Sequence, residues 1–448
     1  MVASEARTGM SVERSARSEL VRAVAASALS STVGWYDFFL FGYAAATVLG
    51  RLFFPTSNAF LSTLLAITTY AVGFAIRPVG ALLFGHLGDR IGRRATLTAT
   101  LLLAGLATSL VAAAPTYAEA GVLGGILLVL LRLVQGLATG GQWAGSVLLS
   151  VEWGHRGRRG FLGSWAQLGL PAGLALAYGS MQLFTSLMGT DPGWRIPFLF
   201  SVALIAVALF LRLGVRETPV FTRLLAERRI EFAPVAEVLV RQWREVLLTA
   251  LLRVGQQTAF VLFTVFLLGD AIGTLGLQQS GVLNLVLITS GISVLTLLGW
   301  GFVSDVVGRK RLVMIGAAAM VLWSFPYWAL IGSHVPALVV VAIVLSLPIH
   351  DIQYAPQAAL IAESFTGRLR YSGTAVGSQL TTLVADGPAV LIALAVLNRS
   401  GDPRFVAIYM GAAAVVSLLA VAALKDRSRQ DMSAEYDEPA VATAPARS

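Results

Sequence analysis

Twelve apolar runs limit what this chain can become. They fall at residues 23–50, 58–84, 95–114, 119–150, 160–188, 195–214, 245–269, 280–303, 312–332, 336–361, 371–397 and 404–424. Each is about as long as the roughly 20 residues that cross a bilayer as a helix, and none alternates as a membrane strand does. Composition agrees: 56% of the residues are hydrophobic and 13% are charged, against about 25% charged in soluble domains. The runs predict an all-α membrane protein of twelve transmembrane helices, with both termini on one side.

Loop charge sets the orientation. Of 33 Lys and Arg residues, only Arg51, Arg195, Arg399 and Arg404 fall on the side away from the termini, while Arg77, Arg132 and Arg253 lie inside the runs. The remainder place the tails and even-numbered loops in the cytoplasm, within the cell membrane. Topology therefore accounts for the net charge of +9 without a nucleic-acid partner. The predicted organisation is an N-terminal tail over 1–22, a six-helix bundle over 23–214, a central cytoplasmic loop over 215–244, a second bundle over 245–424 and a C-terminal tail over 425–448. The tail before residue 23 is polar and basic, unlike a cleaved leader.

The two bundles repeat each other. Gly85-His86-Leu87-Gly88-Asp89-Arg90-Ile91-Gly92-Arg93-Arg94 follows span two, and Gly301-Phe302-Val303-Ser304-Asp305-Val306-Val307-Gly308-Arg309-Lys310 follows span eight. Both read G-x-x-x-D-x-x-G-R-[RK]. Glu152 with Arg159, and Glu363 with Arg370, form a second pair at nearly the same displacement. The chain reads as a duplicated six-helix unit, an architecture typical of secondary transporters. Gly85, Asp89, Arg90, Gly92, Arg93, Glu152 and Arg159 in the first half form a candidate cytoplasmic gate with Asp305, Arg309, Glu363 and Arg370 in the second. Its carboxylates and guanidiniums can pair across neighbouring helix ends.

These residues resemble a known family. The Gly85–Arg94 segment is similar to the signature loop of the major facilitator superfamily, and Arg132-Leu-Val-Gln135-Gly136 to its R-x-x-Q-G motif. Gly34-Trp35-Tyr36-Asp37-Phe38-Phe39, Arg77-Pro78-Val79-Gly80, Gly140-Gly141-Gln142-Trp143, Arg159-Gly160-Phe161-Leu162-Gly163-Ser164 and Arg216-Glu217-Thr218-Pro219-Val220-Phe221 resemble its metabolite:proton symporter branch. The resemblance implies two rocking bundles, a path lined by spans one, four, seven and ten, no cofactor and a monomeric carrier. Gln142 stands where many members carry Glu.

Residue chemistry leads the same way. An ionisable group at mid-bilayer costs from about 2.5 to above 10 kcal/mol by different measures, so it faces a partner or an aqueous cavity. Asp37, Arg132, Arg253, Asp351 and Asp386 lie at comparable depth on five helices. Two arginines against three carboxylates leave a charge of −1 in that layer, which suits an anion plus a proton and also a zwitterion. Arg132, Gln135, Thr139 and Gln142 share a helical face, as do Arg253, Gln256, Gln257 and Thr264, and as do His350, Gln353, Tyr354 and Gln357. Such stripes either line a wet path or join helices by hydrogen bonds. On the first reading Arg132 and Arg253 hold a solute carboxylate with Tyr36, Gln135, Gln142, Gln256, Gln257, Gln353 and Tyr354 around it. Asp37 carries a proton, and His350 with Asp351 can share it. Asp386 reads equally as a transport site or a packing anion. Arg77, close to the cytoplasmic end of its run, can snorkel to the headgroups. Trp194, Trp243 and Tyr117 fall where membrane aromatic belts lie.

Absences narrow the function. With no cysteine there is neither disulfide nor thiol chemistry, and no clustered metal ligands appear. No G-x-x-x-x-G-K-[ST] loop, H-E-x-x-H or G-x-S-x-G occurs, which argues against ATP-driven pumping and membrane hydrolysis. The expectation is a non-enzymatic, proton-coupled carrier importing a small polar metabolite, most readily a carboxylate-bearing organic acid. A proton-coupled exporter of amphipathic compounds and a non-transporting solute sensor are the alternatives.

Overall fold

The computed structural model describes residues 2–266, 279–333 and 335–432. The C-terminal end of run seven, His334 and residues 433–448 of the predicted tail lie outside the described residues. Among the described residues all regular secondary structure is helical. Span one is Val2–Ala44, so the backbone of the predicted tail continues the first helix rather than ending before it. Span two runs Ala59–Ala75 and Arg77–Arg90, span three Arg93–Ala113, span four Val122–Val151. Span five is Arg159–Gln167 and Gly169–Met188, span six Arg195–Leu213. The second half has span seven from Trp243 to Val261, span eight Gln279–Val307, span nine Arg309–Ile331 and span ten Pro336–Glu363. Span eleven is Arg370–Leu380, Thr382–Ala385 and Gly387–Ser400, and span twelve Arg404–Ala423. By hydropathy alone 10 of these helices qualify as crossing segments. Spans one and five fall short because they carry polar and small residues such as Ser27, Ser30, Ser31, Asp37, Gly169 and Gly173.

The signature segments are not loops. Gly85–Arg90 forms the last turns of span two, leaving Ile91 and Gly92 between helices, and Gly308 alone separates spans eight and nine. Gly92 and Gly308 adopt φ of +107° and +104°, a conformation that side chains with a Cβ resist. The repeated glycine thus turns the chain sharply enough to place Asp89 beside Arg93, and Asp305 beside Arg309. The predicted central loop likewise holds two short helices, Pro219–Ala226 and Pro234–Arg241. Val220, Phe221, Leu224 and Val238 are buried there, because their apolar sides cover the basic face.

Within the first half, span four lies against spans two and three and span one against span five; in the second, span ten lies against eight and nine and span twelve against seven and nine. Spans two and four touch through their backbones: a Cβ at Gly80 would stand 1.9 Å from the Leu137 carbonyl, and one at Gly140 2.3 Å from that of Arg77. Small residues let membrane helices approach this way. The halves meet through span two on eleven and span five on eight and ten. Three of these helices break near mid-depth. Span two breaks at Ile76 ahead of Pro78, span five at Leu168 ahead of Pro171, and span eleven at Asp386 ahead of Pro388, since proline supplies no amide donor to the turn before it. Trp194 is fully buried against Phe53 and Phe198, so it belongs to the interior and not to a belt; Trp243 and Tyr117 are exposed.

Candidate functional site

A cavity lies between the halves at mid-depth. Its wall includes Ser31, Gly34 and Trp35 of span one, Arg77 of span two, Thr139, Gln142 and Trp143 of span four, Arg253 and Gln257 of span seven, and Ser378, Gln379, Thr381, Thr382 and Asp386 of span eleven. Arg77 therefore faces the cavity, not the headgroups. Span two continues as a helix to Arg90, six residues past the apolar run, which places Arg77 about 20 Å from its end at 1.5 Å per residue. Its guanidinium stacks on Phe38 and Phe74, at 5.1 and 4.6 Å from the ring centres. Arg253 stacks on Trp143 at 4.4 Å. Gln142 donates to the Ser30 carbonyl at 2.7 Å, which ties span four to span one.

Many polar atoms on this wall have no hydrogen-bond partner within the described chain: Ser31 Oγ, Arg77 Nε, Gln142 Oε1, Arg253 Nε and Nη1, Gln257 Oε1, Gln379 Oε1 and Asp386 Oδ1. Buried polar groups are rarely left in that state, and leaving them so costs about 1–3 kcal/mol each. Their convergence marks a place where a polar solute can be held.

The other mid-depth charges are buried, but in separate clusters rather than one chamber. Asp37 turns into the first half, where Ser201 of span six donates to it at 3.3 Å. Arg132 stacks on Phe41 and Tyr70 at 4.5 and 4.9 Å and donates to Gln135 at 3.3 Å, while Gln135 donates to Thr108 at 2.6 Å. Tyr36 donates to the Pro197 carbonyl at 2.6 Å, away from the cavity. In the second half Asp351 accepts from Ser293 and Thr296 at 2.7 and 2.6 Å and meets His350 Nδ1 at 3.1 Å. Gln256 bonds the other ring nitrogen of His350 at 2.7 Å. Tyr354 stacks near His350, and Gln353 lies against Gly316 of span nine.

Contacts between the halves flank the cavity. On the side away from the basic face, Trp35 and Phe39 of span one meet Phe260 of span seven at 5.8 and 6.0 Å between ring centres. Toward the basic face, Tyr371 of span eleven donates to the Gly141 carbonyl at 2.9 Å, and beside the span-five break Gln167 donates to that of Tyr354 at 2.9 Å.

At the basic face the duplicated motif forms two matching seals. Asp89 accepts from the Tyr371 and Ser372 amides at 3.1 and 2.8 Å. Asp305 accepts from the Gly160 and Phe161 amides at 2.8 Å each. Each carboxylate thus caps a helix of the opposite half, satisfying amides that no intrahelical carbonyl reaches and meeting the positive end of the helix dipole. Arg93 lies 3.1 Å from Asp89 and 3.5 Å from Glu152, with Arg370 at 3.5 Å on the far side of Glu152. Arg309 lies 2.8 Å from Asp305 and 2.6 Å from Glu363, which Arg159 reaches at 3.3 Å. Gly85 abuts Ser372, whereas Arg90 is exposed beside His86 and Phe232 and takes no part in the seal. Glu217 was not anticipated: it accepts from the Arg93 and Arg94 amides at 3.2–3.3 Å and so caps span three.

Comparison with known proteins agrees with this arrangement. The family model for the Major Facilitator Superfamily matches residues 27–385. The chain belongs to the major facilitator superfamily. Among relatives in this superfamily, the Shikimate transporter of Escherichia coli (strain K12) is 36% identical over 420 residues, covering 91% of this chain and 95% of that protein. The Proline/betaine transporter of Salmonella typhimurium is 28% identical over 428 residues, covering 92% and 85%. The fold matches that of the proton:xylose symporter XylE bound to 6-bromo-6-deoxy-D-glucose, with a TM-score of 0.72 at 18% identity over 90% and 95% of the two chains. The protein is a multi-pass secondary transporter of this superfamily and not an enzyme.

Proposed function

We propose that the protein imports a small hydroxylated carboxylate with a proton, by alternating access. One observation carries the reading: the guanidiniums of Arg77 and Arg253 face the cavity with nitrogens that lack an acceptor among the described residues, beside amides and hydroxyls. A guanidinium fork suits a carboxylate, and the hydroxyls and amides of Ser31, Thr139, Gln142 and Gln257 suit the alcohol groups of the same solute. Names of two relatives, for shikimate and for proline or betaine, share a carboxylate and support this class. On this reading Arg253 binds the carboxylate with Arg77 as its companion, and Arg132 does not.

Asp37, buried beside Ser201 with one oxygen unpartnered, is the carrier of the transported proton, and Arg132 is its local counter-charge. His350 and Asp351 form a second proton-holding pair in the other half. The excess of Lys and Arg supports a cytoplasmic basic face and both termini inside the cell membrane. Each monomer holds a full pathway.

Proteoliposomes with an imposed pH gradient test the reading with radiolabelled shikimate and proline. Asp37→Asn should lose uphill accumulation while retaining exchange, and uphill uptake by that variant removes Asp37 from coupling. Arg253→Ala should weaken the carboxylate about a hundredfold and leave its neutral methyl ester little changed; equal losses refute carboxylate recognition.

A further inference from the structure

The cavity contains an anion that carboxylate binding does not require. Asp386 is buried, with φ −88° and ψ −86°, at the break where span eleven ends one segment and starts the next at Gly387-Pro388. The break turns its carboxylate to the cavity wall that Arg77 and Arg253 share. It interacts electrostatically with both guanidiniums and shares the cavity wall with Gln257. No direct ion pair closes among the three: Asp386 Oδ1, Arg77 Nε, and Arg253 Nε and Nη1 all lack partners among the described residues. Two cations and one anion therefore hold each other at a distance across the space assigned to the solute.

A buried charge needs a counter-charge. Among the described residues of the cavity wall, Asp386 is the carboxylate that can serve these two arginines. We propose that Asp386 is the protein's own stand-in for the solute carboxylate, which displaces it from Arg77 and Arg253 on binding. The inference rests on the reading of the cavity as a carboxylate site and adds two consequences.

The first is selectivity by charge. Two guanidiniums and one carboxylate leave the cavity with one net positive charge, which a monocarboxylate cancels and a dicarboxylate overshoots. The assigned substrate class is the monocarboxylate. The second is mechanical. Arg77 belongs to the first half and Asp386 to the second, so their attraction ties spans two and eleven at mid-depth, above the place where Asp89 caps span eleven. A solute that takes Arg77 from Asp386 loosens that tie and favours opening at the basic face.

Quenching of tryptophan fluorescence reports binding directly, because Trp35 and Trp143 line the cavity. Full-length transporter in detergent is titrated with shikimate, lactate, methyl shikimate and succinate. Asp386→Asn should bind the two monocarboxylates about tenfold more tightly, leave the methyl ester unchanged and narrow the disadvantage of succinate. Unchanged or weaker monocarboxylate binding overturns the proposal, and misfolding cannot produce the expected gain. Should the Asn variant not fold, Asp386→Glu pushes the carboxylate nearer the arginines and should weaken binding; tighter binding then overturns it. Arg253→Ala separates the two readings. If it weakens monocarboxylate binding while Asp386→Asn changes nothing, the carboxylate site stands and the stand-in falls. If neither wild type nor Asp386→Asn binds either monocarboxylate, both fall.

Discussion

The two seals at the basic face come from one repeated motif, yet they are supported differently. In both, an aspartate at the end of an even-numbered span caps a helix of the opposite half, and an arginine four residues on bridges to a glutamate. The first seal is loosely paired, with Glu152 3.5 Å from both Arg93 and Arg370. It is supported by the segment joining the halves: Thr218 donates to Glu152 at 2.6 Å, and Glu217 caps span three. The second is tighter, with Glu363 2.6 Å from Arg309. Its support is the C-terminal segment, whose Ser428 and Gln430 carbonyls accept from Arg309 and Arg159 at 3.2 and 3.0 Å. Arg427 of the same segment donates to the Ser364 carbonyl and lies 3.3 Å from Glu245. Duplication therefore fixed the capping carboxylates, while the unduplicated segments set how firmly each seal holds.

Experiments on both seals can break or sharpen this contrast. The chain has no cysteine, so Ser378→Cys on the cavity wall gives a single thiol whose labelling from the basic face reports opening. Asp89→Ala or Asp305→Ala should have the largest effect. Each strips two amide bonds and leaves a buried arginine underpaired, shifting the equilibrium toward the open state by about 3–5 kcal/mol. Labelling that stays slow in both variants would contradict the assignment of these aspartates as the ties between halves. Truncation after Leu424 should come next, at about 1–2 kcal/mol for the lost carbonyl acceptors. It should add fully to Asp89→Ala and scarcely to Asp305→Ala, since interacting groups are not additive. Equal additions to both backgrounds would show that the C-terminal segment supports neither seal in particular. Glu217→Gln should matter least, about 0.5–1 kcal/mol, as a helix-end charge loses its dipole interaction. Its thermal shift should persist after the truncation, and a shift that vanishes there would join the two supports into one.

The seals were legible in the sequence because the motif occurs twice and its glycine has a single conformational use, the positive φ at Gly92 and Gly308. Twelve spans and the pairing of halves followed from run length and repeat. The cavity was legible only in depth. Counting along an apolar run says how far a residue lies from the surface, but not which neighbour it turns toward. Asp37 stands about 60° around the helix from Gly34 at 100° per residue, enough to direct it to Ser201 while Gly34 lines the cavity. Arg77 was misplaced because apolarity ends before the helix does: Gly85–Arg90 is polar in composition and still helical. Its pairing with Pro78 was the available signal, since a proline beside a charge inside a run marks a break. Glu217 carried no periodic signal at all, and only the fold brings it under span three.

In each seal the capping aspartate takes its two donors from the peptide backbone of the other half. Every residue except proline carries such a donor, so these capping bonds do not depend on the side chains of Phe161 and Ser372, whereas Gly160 is held by space, since a Cβ there would stand 2.8 Å from Asp305 Oδ1. A proline at 161 or 372 would delete one of the bonds outright. The capping bonds at this face are thus written in two aspartates and read by main chain alone.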